Sequence, residues 1–168
     1  MIAIVVAALA LVYIGLSWRD FSSNTGGYGD LWLGATPEEV SYYEGKPTAE
    51  LADGAGGGQE WIHDTNGRHL ETHFAAGRAV ELACGTVGSA SECPSALGFS
   101  VGDTEDSLYK RLGPPTSEGI VNGVKAMHYN DIGFTFLLER GQIRRIVLQQ
   151  TSQRLGAMIG RYVRWAIP

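Results

Sequence analysis

The chain has 168 residues, 44% of them hydrophobic and 18% charged, with a formal net charge of -5. That composition excludes a disordered chain and suits one ordinary domain or two very small ones. The charge is uneven: residues 1–139 hold 7 Lys and Arg against 18 Asp and Glu, or -11, while residues 140–168 hold 6 Arg and no acid, or +6. An acidic body argues against nucleic acid as the main partner, because phosphate binding needs a basic face on the folded domain.

The first 18 residues, "MIAIVVAALALVYIGLSW", carry no charge. Ile2, Val5, Leu9, Val12 and Leu16 are apolar along a stretch at the short edge of the roughly 17–25 residues that span a bilayer, and Trp18 sits where an interfacial aromatic belongs. There is no basic start, no small-x-small cleavage site and no cysteine to lipidate. The expectation is an uncleaved transmembrane anchor, 1–18, followed by a Gly/Ser-rich tether, 19–30. The two cysteines, Cys84 and Cys93, are nine apart with Gly, Ser and Thr between them. They suit a disulfide-closed loop, and with it an oxidising compartment such as a periplasm; the alternative is two buried free thiols in a cytoplasmic protein.

One phrase returns along the chain. "LGATPEEVSYYEGKPT" at Leu33–Thr48 is answered by "VGDTEDSLYKRLGPPT" at Val101–Thr116, offset by 68 at every matched position. Thr36 can N-cap a helix with Pro37 at its first position and Glu39 completing a capping box, and Gly45 stops it. Thr104 caps the second copy, with Glu105 and Asp106 in its first turn and Gly113 at its end. "ELADGAGGGQE" reads as a turn, and its GAGGG run lacks the Lys-Ser/Thr of a phosphate loop. "EWIHD", "HLETHFA" and "AVELAC" then read as short strands joined by tight turns, as do "VKAMHYN", "GFTFLLE" and "QIRRIVLQQ" after the second helix. The expected fold is α+β: an N-terminal transmembrane helix, two tandem repeats of a short helix plus a three-stranded antiparallel meander (31–83 and 97–148), a disulfide-loop linker (84–96), and a basic amphipathic segment (149–168).

The pattern G-x-T-x-x-x-(V/L)…G-x-P-T, followed by an aromatic strand and by a strand–(A/R)-G-x-(V/I) hairpin, resembles the SmpA/OmlA, or BamE-like, fold. In tandem it is similar to the β-lactamase inhibitor proteins. The resemblance covers about residues 31–148. It implies a small envelope protein that binds other proteins and is not an enzyme. The chain departs from the assembly lipoproteins in its anchor, its second repeat and its C-terminal extension.

The search for chemistry is sparse. No G-x-S-x-G is present. His69 and His73 are four apart, but on a strand that spacing separates them by roughly 13 Å, too far to share one ion. The acidic pairs Glu38–Glu39 and Glu105–Asp106 are explained by helix first turns. No catalytic residue, metal or cofactor is expected. In the tail, Leu155, Met158, Ile159, Tyr162, Val163 and Ala166 fall on one helical face, Trp165 lies beside it, and Arg154, Arg161 and Arg164 fill much of the remaining arc. That face can dock on its own domain, on lipid or on a partner subunit. Trp32, Tyr42 and Tyr109 are candidate partner contacts, being aromatics beyond what a small core absorbs.

These observations lead to an expected function: a single-pass inner-membrane protein with a periplasmic body, serving as an accessory or assembly subunit of a larger respiratory, photosynthetic or envelope-assembly complex. Its partners would be other subunits and lipid, with no small-molecule substrate. The alternative is an inhibitor of a periplasmic hydrolase.

Overall fold

Thr36 and Thr104 start two short helices through the side-chain bonds their local sequence calls for. In the computed structural model, which describes residues 11–14, 27–52, 58–65, 67–86, 92–151 and 155–166, α1 spans Pro37–Glu44 and α2 spans Glu105–Leu112. The Thr36 hydroxyl accepts from the Glu39 N–H, and the Glu39 carboxylate accepts from the Thr36 N–H at 2.8 Å, a complete capping box. Thr104 accepts from the Ser107 N–H in the same way. Gly45 and Gly113 end the helices at φ +80° and +75°, where a Cβ would be strained, and their N–H groups return to Ser41 and Tyr109.

A small hairpin, β1 (Gly27–Tyr28) and β2 (Leu31–Trp32), precedes α1 and buries Tyr28 and Leu31. After α1 come β3 (Ala49–Ala52), β4 (Gln59–Thr65), β5 (Arg68–Ala75) and β6 (Arg78–Thr86). After α2 come β7 (Ser117–Val121), β8 (Val124–Tyr129), β9 (Phe134–Glu139) and β10 (Gln142–Gln149). All eight pair antiparallel in one sheet, ordered β3-β4-β5-β6-β10-β9-β8-β7. The seam is β6 against β10, with Cys84 opposite Ile146 and Leu82 opposite Leu148.

The helices lie on one face of this sheet. Val40 of α1 and Leu108 and Leu112 of α2 join Leu70, Leu82, Met127, Phe136 and Ile146 in a single buried cluster. The alternation that puts these residues inward is reset twice. Val80 is the extra residue of a bulge between the His73–Glu81 and Phe74–Ala79 pairs, and Arg144 is the extra residue between Leu138–Ile143 and Leu137–Arg145. Each bulge lets one strand supply inward residues on both sides of it, Ala79 with Leu82 and Ile143 with Ile146. The same two strands hold the segments leading into the helices: Ala79 exchanges backbone bonds with Gly34 and Ala35, and Ile143 does so with Gly102 and Asp103.

The observed fold corrects the expected one. The molecule is mostly β, and each helix is followed by four strands that merge into one continuous sheet, not by a separate three-stranded meander in a tandem-repeat array. β3 and β7 escape a reading of hydrophobic alternation because they are outer strands with little to bury; β3 is exposed over three of its four residues. They are held by Thr48 and Thr116, whose backbone N–H and hydroxyl groups both bond to the Ile62 and His128 carbonyls.

The transmembrane helix and the single-pass inner-membrane location are also corrected. Among the described residues, no helix is long and apolar enough to cross a membrane. Of the 1–18 segment, residues 11–14 are described and are helical. The Ile14 carbonyl accepts from the Tyr162 hydroxyl at 2.9 Å, so this turn meets the chain's own C-terminal helix. Ile2, Val5, Leu9, Leu16 and Trp18 lie outside the described residues, as does most of the 19–30 tether; Val12 is exposed.

Cys84, in β6, is disulfide-bonded to Cys93 with Cα atoms 5.8 Å apart. The C-terminal helix α3 (Leu155–Ala166) packs against α2. Arg161 fastens it: the guanidinium pairs with Asp131 at 2.7 Å, donates to the Leu112 and Pro114 carbonyls at 2.6 Å each, and lies 4.6 Å over the Tyr129 ring. A cation is well placed there, because the last carbonyls of α2 carry the negative end of its dipole.

Two outcomes are expected. Arg161→Met should cost about 2–3 kcal/mol by leaving Asp131 and two carbonyls without their donor, read as a lower chemical-denaturation midpoint with an early change in Trp165 fluorescence. Cys84→Ala with Cys93→Ala should cost about 2–3 kcal/mol, the loop-closure entropy of a short loop, measured the same way.

Candidate functional site

The face of the sheet opposite the helices carries side chains from rows of directly opposed strand residues. One row is Glu60 on β4, His73 on β5, Glu81 on β6 and Gln149 on β10. Two residues along lies Ile62, Glu71, Ala83 and Val147, and two further Asp64, His69, Gly85 and Arg145. The central strand β6 contributes only small residues to the last two rows. Gly85 matters most: a Cβ there would sit 3.4 Å from the Arg145 side chain and 3.3 Å from the Arg144 carbonyl. The bare backbone lets Arg145 cross β6 and reach Glu71 on β5. Its Nη1 donates to Glu71 Oε1 at 2.8 Å, and Nη2 pairs with Oε2.

His69 completes this network. Its Nδ1 is 2.6 Å from Asp64 and its Nε2 2.7 Å from Glu71 Oε1, which is the geometry of an imidazolium between two carboxylates. Partial burial opposes the charge on His69, but the two carboxylates outweigh it and raise its pKa above the ordinary 6.5. For Glu71, burial pushes upward and is outweighed by Arg145 and then His69, so its pKa lies below the ordinary 4.5. On the same strand His73 behaves differently: its Nε2 faces Glu60, Glu71 and Glu81 at 3.6, 3.8 and 3.8 Å, beyond hydrogen-bond reach of each.

The other two histidines are elsewhere. His63 is buried on the helix side with its Nε2 3.3 Å from the Gly45 carbonyl, and burial lowers its pKa. His128 lies on the open face beside Thr135 at 3.0 Å, in the other half of the sheet.

A second surface is aromatic. Tyr42 and Tyr43 on α1 stand edge to face at 5.1 Å, and Tyr43 meets Trp32 of β2 at 5.8 Å. Their exposures are 83%, 48% and 37%. The structure thus joins two of the candidate contacts, Trp32 and Tyr42, through Tyr43, whose place beside Val40 on the helix had suggested an inward side chain. Tyr109 is apart from them: its hydroxyl donates to Glu118 at 2.9 Å and Lys125 lies over its ring. In the tail, Tyr162 is buried in the core cluster and Trp165 donates to the Leu97 carbonyl at 3.0 Å, while Ile159 and Val163 are exposed; the side chains of Leu155 and Met158 lie outside the described residues. Of the three docking surfaces open to this helix, its own domain takes Tyr162 and Trp165.

The residues around His69 and His73 were missed. Strand alternation alone puts Glu71 between them on one face. Glu60, Glu81 and Arg145 needed the strand register.

The charged network has a pH signature. His69, with its pKa raised on folding, contributes stability that is fully present below about pH 6.5 and lost as pH rises through its folded value; Glu71, with its pKa lowered, contributes stability present above about pH 4.5 and lost as pH falls through its folded value. The stability difference between wild type and His69→Gln should therefore be largest between about pH 4.5 and 6.5 and shrink on both sides. Taking the difference cancels the opposing contribution of buried His63. Denaturant titrations from pH 4 to 9 (about one per half unit) test this.

No family model and no curated protein matches the chain. Solved structures do. A DUF4309-family protein, YjgB, from Bacillus subtilis is similar at a TM-score of 0.50 and 17% identity, over 70% of this chain and 79% of that one. An extracellular protein containing an SCP domain, from Bacillus anthracis, is similar at a TM-score of 0.50 and 9% identity, over 70% of this chain and 44% of that one, so this chain spans less than half its length. A protein described as a candidate β-lactamase inhibitor, from Streptococcus mutans, is similar at a TM-score of 0.32 and 12% identity, over 67% of this chain and 81% of that one, a distance at which it carries no argument by itself. These are likenesses of fold alone. Membership of the SmpA/OmlA family is not shown.

Proposed function

We propose that this chain is a protein-binding module that makes and breaks no bonds, and that it presents Trp32, Tyr42 and Tyr43 to a protein partner. The observation that carries this reading is the exposure of three aromatic rings in mutual contact on α1 and β2. Burying them intramolecularly would have been favourable, since each ring offers a large apolar area. Clustered Tyr and Trp supply rigid contact area at little entropic cost, and such residues dominate binding energy at interfaces. α1 holds the two tyrosines firmly because its capping box and Val40 fix it to the sheet.

The partner is read as another protein subunit. A narrower form of the same reading has the partner as a hydrolase that the chain inhibits.

The test is affinity recovery with tagged full-length chain from the source cells, comparing wild type with Trp32→Ala/Tyr42→Ala by quantitative mass spectrometry. One protein should be recovered in stoichiometric amount by wild type and fall by about 30-fold with the double variant, the loss expected of a hot-spot pair worth about 2 kcal/mol. Tyr42→Ala alone should leave unfolding stability within about 0.5 kcal/mol, so lost binding is not lost folding. Equal recovery by wild type and variant would remove the aromatic cluster from the interface. Where the recovered protein is a hydrolase, wild-type chain should slow its turnover and the double variant should not.

A further inference from the structure

His73 and His69 sit on one strand and one face, yet their surroundings differ. His69 has drawn two carboxylates to 2.6 and 2.7 Å, as an ion pair does. His73 Nε2 instead stands nearly equidistant from three carboxylates, at 3.6 Å from Glu60, 3.8 Å from Glu71 and 3.8 Å from Glu81. None of these is a hydrogen bond. Each is close to the roughly 3.4 Å that separates two donors held about 2.1 Å from one tetrahedral ion.

The donor atoms of Glu60, Glu71 and His73 all lie within 4.8 Å of one another. Their spacing follows from the sheet: Glu60, His73 and Glu81 are directly opposed on three neighbouring strands, and Glu71 is the next same-face residue of β5. Outer contacts hold two of the carboxylates in place. Gln149 donates to Glu81 Oε2, leaving Oε1 toward His73; Arg145 pairs with both Glu71 oxygens, and His69 bonds to Oε1. Ligand carboxylates are oriented in this manner in metal sites. The strip holds four carboxylates, Glu60, Asp64, Glu71 and Glu81, against the Arg145 guanidinium and the His69 imidazolium, so it carries excess negative charge for a cation to offset. Its outer end opens on a cleft lined by His73, Glu81 and Gln149, which provides a way in and room for a water ligand.

We propose that His73, Glu60 and Glu71 bind one divalent first-row transition ion, with Glu81 beside them. One imidazole with carboxylate oxygens matches Zn2+, and the nitrogen donor selects against Mg2+ and Ca2+. The ion joins β4 and β5 on the open face. It is independent of the aromatic cluster on α1.

The test uses the full chain, stripped of metal by chelator and dialysis. Titration with Zn2+ by calorimetry should give one ion per chain, and Co2+ should develop the visible bands of a low-coordinate site. His73→Ala should weaken Zn2+ binding by more than about tenfold, Glu60→Gln should weaken it too, and His128→Ala, on the other half of the sheet, should leave it unchanged. Zn2+ should raise the melting temperature of wild type and not of His73→Ala. If His73→Ala melts anomalously without metal, His73→Gln, which keeps the side-chain size, replaces it. Absence of stoichiometric binding, or equal binding by wild type and a folded His73 variant, would overturn the site.

Discussion

The pairing of β6 with β10 is the interaction on which the rest of the structure depends. Five residue pairs, from Arg145–Gly85 to Gln149–Glu81, turn two four-stranded meanders into one sheet. Each meander alone would leave a long inner strand with unpaired backbone groups, and its helix would cover only a sliver of core. Joined, they let Leu82, Cys84, Ile146 and Leu148 form the middle of a common apolar layer under α1 and α2. The seam also sets the chemistry of the open face. β6 has only Ala83 and Gly85 behind Glu81 on that side, so the long Arg145 side chain lies across it and ties β10 to β5 through Glu71.

The two halves use the same local devices with different side chains at one informative position. The carbonyl of the helix-stopping glycine is met by His63 in the first half and by the Tyr129 hydroxyl in the second, at 3.3 and 3.0 Å. Tyr129 also forms the platform for Arg161, and through it for α3. The first half has no such helix against it among the described residues; its α1 keeps an outward face of bare aromatic rings. The asymmetry of the molecule therefore resides in what each helix carries on its outer side: α2 is packed by α3, and α1 is exposed.

The two proposed functions divide along the same lines. The aromatic cluster is apolar, rigid and on the helix side, which suits recognition of another protein. The charged strip is polar, stabilised by cross-strand ion pairs and on the opposite side, which suits a cation. The aromatic cluster lies away from the seam, whereas the strip meets it through Glu81 and Arg145. The fold neighbours are similar in architecture alone.

What the amino-acid sequence determined by itself is what short-range forces determine. A threonine that accepts from the N–H three residues on, a glycine where φ turns positive, and alternation along β4 to β6 and β8 to β10 are each written within a few residues, and they were legible. The Cys84–Cys93 pairing was legible because the loop between them is short. Long-range register decided the remainder. β3 and β7 carry too little apolar surface to announce themselves. The β6–β10 seam joins residues sixty or more apart, and it is chosen only when both halves bury their inner faces on one layer. His69 and His73 were read as too distant to share an ion, and partners that give His73 its surroundings come from β4 and β6. Which side chains stand opposite one another across a sheet is fixed by the packing of the whole molecule, because a slip of one residue would turn every side chain to the other face.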